Sequence, residues 1–382
     1  MRKRADRALP PAAISRRDFL KLGGLGLLGL ALPRLPAAQP GFVRGPEALF
    51  LGATAVSSHA WTLPKARRTQ SLLYQQGRVL EDSVTLYDQP TFSGQRVKLL
   101  WLDAVVPISA VTVSEDDSSH NQVWYQIGGE GYVHSGLIQP VRTELNAPVF
   151  NLPAGGGLAE VTVPYTDAHW EPSKQARVAY RFYYETTHWV IQTTTGESGE
   201  AWYVVLDDKW EFVYYVPAAH LRLIPPDELA PISPHIPQVL KYLEVRLADQ
   251  VVIAYEGYVP VFMARIASGG KFSDGNFTTP TGAFLTFHKR PSRHMAAGNL
   301  AANGYDLPGV PWISYFTESG IAFHGTYWHN NYGAPRSHGC INLTAQASKW
   351  IYRWTHPVVP AHEQLLYKNF GTSVRISETG EL

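Results

Sequence analysis

The sequence predicts a mainly β protein: two small barrel-type modules in tandem, then a larger β domain with one short supporting helix. Three observations lead there. Short β-type runs broken by turns fill residues 77–226 and come twice, with a period of roughly 80 residues. From Tyr242 onward, apolar and polar residues alternate in further short runs. Helical spacing is clear in one place, where Ala347, Trp350, Ile351 and Trp354 form an apolar face after Thr344, a suitable N-cap. A hydrophobic content of 45% excludes a disordered chain.

The chain begins with basic residues, then Ser15-Arg16-Arg17-Asp18-Phe19-Leu20-Lys21 and an apolar run from Leu22 to Leu32. Pro36-Ala37-Ala38 follows, small residues suited to a signal peptidase. The paired arginines resemble a twin-arginine export signal, and the apolar run is too short to span a bilayer comfortably. Residues 1–38 are therefore expected to be a signal peptide, and the mature protein to work outside the cytoplasmic membrane, in the cell wall or periplasm. The leader takes eight of 33 basic and two of 32 acidic residues, leaving 25 against 30 and a net charge near −5. That balance leaves no basic field for nucleic acid. Residues 39–76 read as a linker, with Ser71 to Gln76 a candidate short helix.

The first module is expected over residues 77–145. Its runs are Val84–Tyr87, Arg96–Trp101, Val123–Ile127 and, after Gly128-Gly129, Gly131–His134. The second, over residues 146–226, starts near Glu160. Val161–Tyr165 is set against Val84–Tyr87, Trp202–Val205 against Trp124–Ile127, and Tyr215-Val216-Pro217 against Tyr132-Val133-His134. The Trp-Tyr … Tyr-Val … Leu pattern resembles bacterial Src-homology-3-like modules. That resemblance implies contact with cell-wall glycan strands, although most aromatics in so small a barrel fill its core.

Pro-rich residues 227–238 read as a stiff linker. The domain over 239–377 opens with a β-meander: Tyr242–Leu247, Gln250–Tyr255 and Val259–Ala267, closed by Ser268-Gly269-Gly270. Phe284–Phe287 and Trp312–Phe316 are further strands. Lys289 to Gly309 reads as a long basic loop, and Val374 with Ile376 as a last strand.

The chemistry is concentrated in Ile321 to Leu343, IAFHGTYWHNNYGAPRSHGCINL, which holds Cys340, the single cysteine of 382 residues. A lone thiol forms no internal disulfide, and a free thiol, with a pKa of roughly 8.5, needs a base or a stabilising partner to act as a nucleophile. His324 and His338 are close in sequence. Gly339, without a Cβ, lets a backbone or a substrate approach, and nearby amides can serve a developing oxyanion. Zinc ligation by His324, His329, His338 and Cys340 is an alternative, but the spacing fits no zinc pattern.

His324, followed after a loop by Ser337-His338-Gly339-Cys340-Ile341-Asn342, resembles the L,D-transpeptidase signature. Thr278-Thr279-Pro280-Thr281-Gly282 resembles the Thr-Pro-x-Gly turn of the same family. The resemblance implies a β-sandwich-like catalytic domain and a cysteine acyltransferase that cross-links peptidoglycan stem peptides through a thioester, releasing terminal D-alanine. It makes Cys340 the nucleophile and His324 the general base. Ser337 becomes the residue that orients the base, while His338 and Gly339 shape the oxyanion pocket. Asn342 is expected at the substrate site, where it ties down the loop, and Arg336 is expected to meet a substrate carboxylate, with Tyr315 and Tyr327 lining the donor cleft beside Trp328 and His329. Donor and acceptor stems are the implied partners, carbapenem-type inhibitors are expected to acylate Cys340, and no cofactor or metal is called for. An L,D-carboxypeptidase, using water as acceptor, and a non-catalytic wall-binding protein are the rival readings.

Overall fold

The computed structural model describes residues 76–379, apart from 118, 274 and 298–304. The expected signal peptide, and the expected linker and short helix up to residue 75, lie outside the described residues. Gln76 itself opens a strand rather than closing a helix. The protein is mainly β.

The first sheet contains β1 (Gln76–Val79), β2 (Ser83–Tyr87), β3 (Arg96–Trp101), β4 (Val105–Val113), β5 (Val123–Ile127), β6 (Gly131–His134) and β7 (Ile138–Val141). The second contains β8 (Gly157–Val161), β9 (Tyr165–His169), β10 (Val178–Tyr183), β11 (Thr187–Thr195), β12 (Ala201–Leu206), β13 (Val213–Pro217) and β14 (Leu221–Leu223). The orders are β3-β2-β6-β5-β4-β1-β7 and β10-β9-β13-β12-β11-β8-β14, the same sequence of neighbours twice over. One detail differs from the expected alignment. Val161–Tyr165 is not a strand equivalent to β2, because Pro164 interrupts it; Val161 ends β8 and Tyr165 begins β9. Each sheet encloses its own core, with Val79, Leu86, Val133 and Ile138 in the first and Val161, Phe182, Tyr203 and Val216 in the second.

The third region comprises β15 (Lys241–Arg246), β16 (Val251–Glu256), β17 (Val259–Arg265), β18 (Lys271–Phe272), β19 (Gly275–Asn276), β20 (Gly282–Leu285), β21 (His288–Ala297), β22 (Tyr305–Tyr315), β23 (Ala322–Gly325), β24 (Ile341–Leu343), helix α1 (Ala345–Trp354), β25 (Leu366–Tyr367) and β26 (Ser373–Ser377). Two five-stranded sheets form, β17-β16-β15-β26-β20 and β24-β23-β22-β21-β25. Leu243, Val245 and Val252 from one meet Phe316, Phe323 and Ile341 from the other, with Ile351 and Trp354 of α1 closing the same core. Thr344 caps α1 by accepting from the Ala347 amide at 3.2 Å.

The long basic loop expected over 289–309 is instead a hairpin, β21 paired with β22. Its polar residues look solvent-facing in sequence because their partners come from elsewhere. Lys289, 1% exposed, donates to the carbonyls of Tyr352 and Thr355 at the end of α1. The Pro291 carbonyl accepts from Thr187 of β11 at 2.8 Å, and Arg290, Arg293 and His294 pair with Asp207 and Asp208. The hairpin is thus the surface on which the second module sits.

Candidate active site

β23 and β24 run parallel, with Phe323 opposite Ile341 and His324 opposite Asn342. Phe323, Ile341 and Leu343 face the core. His324 therefore shares the other face with Asn342, and Cys340 immediately precedes β24. The pairing sets the start of β24, directly after Cys340, beside the strand that carries His324.

His324 is 3% exposed. Its Nδ1–H donates to the carbonyl of Gly325 at 3.0 Å, which leaves Nε2 as the basic nitrogen. Burial holds its pKa down, at about 4, so the ring is neutral near pH 7. Gly325 thus does what Ser337 was expected to do. Ser337 instead closes a tight turn at the nucleophile, where its hydroxyl donates to the carbonyl of Cys340 and accepts from the Gly339 amide at 3.2 Å. That turn also takes the Gly339 amide out of the set of oxyanion donors and leaves the amide of Cys340 for the role.

Burial pushes the Cys340 thiol up to about 11, with a backbone hydrogen bond at Ala322 opposing it, and the sulfur also meets the Gly320 carbonyl at 3.9 Å. The resting pair is a neutral thiol and a neutral imidazole, not a preformed thiolate.

The bed under this turn was not apparent in the sequence. The segment after β17 runs beside it: Ala267 and Asn342 exchange backbone bonds at 3.0 Å, and the amides of Arg336 and Ser337 donate to Ser268. A Cβ on Gly269 would lie 2.7 Å from Gly339 Cα, so only glycine permits the approach. Gly339 itself has φ 119°. Thr279, from the Thr-Pro-x-Gly-like turn, accepts from the Gly269 amide at 2.9 Å and donates to the Gly339 carbonyl at 2.8 Å. That turn is a clasp on the nucleophile loop.

The remaining expected residues divide. Tyr315 stacks on His288 at 4.8 Å and is the strand partner of Ala322, whose backbone bonds the sulfur. Tyr305 joins it there: burial first, then the Cys340 sulfur, raises the pKa of its phenol. Tyr327, expected at a donor cleft, is packed inside instead. It is 4% exposed and stacks on Tyr183 of the second module at 5.2 Å. Trp328 lies against His324, with ring centroids 5.8 Å apart. Asn342 is buried, and its amide meets Nε2 of His329 at 3.0 Å, so it ties the loop rather than a substrate. Arg336 sits where it bears on His134 of the first module and on His329. His338 is exposed, its ring 4.3 Å from that of Phe277.

The loop between His324 and Cys340 is held from outside the domain. Asn330 Nδ2 donates to the carbonyls of Ser135 and Ile138 at 3.1 and 3.0 Å, and its amide donates to Gly136. Arg78, fully buried on β1, donates to the Tyr327 carbonyl at 2.5 Å while binding Asp103 and Gln139.

Residues 240–376 match the YkuD family, the L,D-transpeptidase catalytic domain. A candidate L,D-transpeptidase of Bacillus subtilis (strain 168), YciB, is 25% identical over 143 residues, 35% of this chain and 68% of that protein. Among solved structures, the Ldtfm–avibactam carbamoyl enzyme is similar at 23% identity over 36% of this chain, with a TM-score of 0.29, and the match spans 49% of that chain. The catalytic domain of an Enterococcus faecium L,D-transpeptidase acylated by ertapenem is similar at 24% identity over 36% of this chain and 96% of its own, with a TM-score of 0.28. The family match leaves the two N-terminal sheets outside it.

Proposed function

We propose that this protein is an exported cysteine acyltransferase, an L,D-transpeptidase that cross-links peptidoglycan stem peptides. The observation that carries the reading is the parallel pairing of β23, which holds His324, with β24, which follows directly on Cys340, while Ser337 and Thr279 clasp the turn before it. His324 Nε2 takes the thiol proton as sulfur attacks the carbonyl that joins the third stem residue to terminal D-alanine. The Cys340 amide faces the developing oxyanion. The carbon–nitrogen bond breaks, His324 returns the proton to the departing amine, and a thioester remains. An amine from a neighbouring stem then attacks, giving its proton to His324, and the sulfur leaves and is reprotonated. No step calls on a metal or cofactor.

The twin-arginine pattern supports export, and the two N-terminal sheets, beside a wall-directed enzyme, support contact with glycan. The test is intact-mass measurement after incubation with ertapenem, the inhibitor found on the Enterococcus faecium domain. One covalent adduct is expected, absent from Cys340→Ala. Retention of the adduct in that variant would overturn the assignment. Product analysis of stem tetrapeptides, with and without an amine acceptor, is expected to show cross-linked dimers. Hydrolysis alone would make the enzyme a carboxypeptidase.

A further inference from the structure

The imidazole of His324 has one near support and one that begins far away. Its Nδ1 donates to the carbonyl of the very next residue, Gly325, at 3.0 Å. That bond sets the tautomer but leaves the ring able to pivot about the line of the bond. A pivoting ring spends less time with Nε2 aimed at the proton it has to take, and small misplacements of reacting groups cost large factors in rate. The indole of Trp328 walls the ring, with centroids 5.8 Å apart and planes at 36°.

Trp328 is held in turn by rings that lead out of the catalytic domain. Tyr327 meets it edge-on, with centroids 5.0 Å apart and planes at 87°. Tyr327 is buried and stacks on Tyr183 of β10, in the second module, at 5.2 Å and 22°. Tyr183 stands where both modules meet that loop. The Arg78 guanidinium of β1 lies over the Tyr183 ring at 4.1 Å and donates to the Tyr327 carbonyl at 2.5 Å. The Tyr183 hydroxyl donates to Asp103 Oδ2 at 3.3 Å, and the same carboxylate takes Arg78 from the first module and Arg181 from the second. A row of rings, Tyr183, Tyr327, Trp328 and His324, therefore joins the contact between the modules to the base.

The row is suited to transmit position. Aromatic pairs prefer stacked and edge-to-face arrangements over others, and each ring is a rigid plate, so one cannot shift without its neighbour. Tyr327 has little freedom to absorb a shift, because its ring and its carbonyl are both held from outside the domain. The row is also separate from the main core. Tyr327, Trp328 and Tyr183 pack with Val310, Ile313 and Ala322, apart from the cluster of Leu243, Phe316, Phe323 and Ile351. Ala322 and His324, two residues apart on β23, leave the strand on the same side, opposite Phe323.

We propose that Tyr183 is a positioning residue for His324: from the second module, through Tyr327 and Trp328, it fixes the direction in which the base presents Nε2. The inference rests on the acyl-transfer reading above. The catalytic domain then depends, for the aim of its base, on a side chain that it does not itself contain.

The experiment uses the full protein. Acylation of Cys340 by ertapenem is followed by intact mass over a range of inhibitor concentrations, which separates the limiting rate from the half-saturating concentration. Tyr183→Met fills the space without a flat face; it is expected to lower the limiting rate by about tenfold and to leave the half-saturating concentration within about twofold. Tyr183→Phe keeps the stacked ring and loses only the bond to Asp103, and it is expected to stay within about threefold of the wild type. The deciding comparison is made without the base. His324→Ala is expected to react slowly, and Tyr183→Met added to it is expected to slow the reaction no further. Trp328→Phe leaves Tyr183 in place and draws the ring edge back from His324; it is expected to show the same dependence on His324, and it carries the test should Tyr183→Met not fold. An unchanged limiting rate, a loss confined to the half-saturating concentration, or an equal loss with and without His324 would overturn the positioning role and leave the acyl-transfer chemistry standing. A wild type that takes no ertapenem on Cys340 would instead overturn the acyl-transfer reading, and the positioning role with it.

Discussion

The resting states of Cys340 and His324 determine how the proposed reaction would begin. Burial raises the thiol to about 11 and lowers the imidazole to about 4. At neutral pH neither is charged, so the proton moves as the bond to carbon forms rather than beforehand. Thiol alkylation by iodoacetamide is therefore expected to rise with pH toward about 11. Acyl transfer is expected to hold its rate down to about pH 5 and to fall as His324 protonates near 4. An alkylation plateau near pH 6 would instead reveal a thiolate–imidazolium pair. Thr279 offers a second test at this scale. Its hydroxyl bridges Gly269 and Gly339 in a buried position. Thr279→Val keeps the shape but leaves both backbone groups unpaired, at a cost of about 1–3 kcal/mol in stability. Urea unfolding measures that cost, and a transfer rate reduced by about tenfold is expected with it.

Two elements outside the sheet pair decide how well the site is held. The loop from Thr326 to Arg336 begins just after the base and ends just before the nucleophile turn, and the first module grips its middle. Asn330 occupies two carbonyls of that module. Asn330→Ala is expected to lower stability by about 1–3 kcal/mol and to lower kcat while Cys340 remains alkylatable; an unchanged kcat would show that the grip has no part in catalysis. Arg78→Ala is expected to lower stability by about 1–3 kcal/mol in urea unfolding, because the Tyr327 carbonyl and Gln139 lose their buried donor while Asp103 keeps Arg181. The hairpin β21–β22 has the corresponding place beneath the second module, which touches it through Thr187, Asp207 and Asp208.

At the scale of the molecule, His294 links the second module to the hairpin. It lies between Asp207 and Asp306, and its side chain is 1% exposed. Burial alone would lower its pKa, but the two carboxylates outweigh that and raise it to about 9. The unfolded value is about 6.5. The folded state thus binds the proton more tightly, so the contribution to stability is complete below about pH 6.5 and is lost as pH rises through about 9. Urea midpoints of the wild type and His294→Gln should therefore differ most in the acidic part of that window and converge toward its alkaline end. A gap that stays constant from pH 6.5 to 9 would show that the bridge is not ionised.

The sequence alone determined the tandem β texture, the α1 face and the groups proposed to react. Each of these is a local property: strand alternation, helical spacing, or a cluster such as Ser337 to Cys340 with His324 close upstream. It also pointed to the Thr278–Gly282 turn, whose composition sets its geometry. Only the tertiary structure decided what each polar residue faces. Lys289, Arg290, Arg293 and His294 look like loop residues because their partners lie on α1, on the second module and across the hairpin, at separations that no local pattern encodes. Tyr327 looks like a substrate contact until packing buries it against Tyr183. Gly325 takes the orienting role expected of Ser337 because a strand carbonyl happens to meet Nδ1. Chemical identity is written residue by residue, whereas burial and pairing depend on which distant segments the folded chain brings into contact.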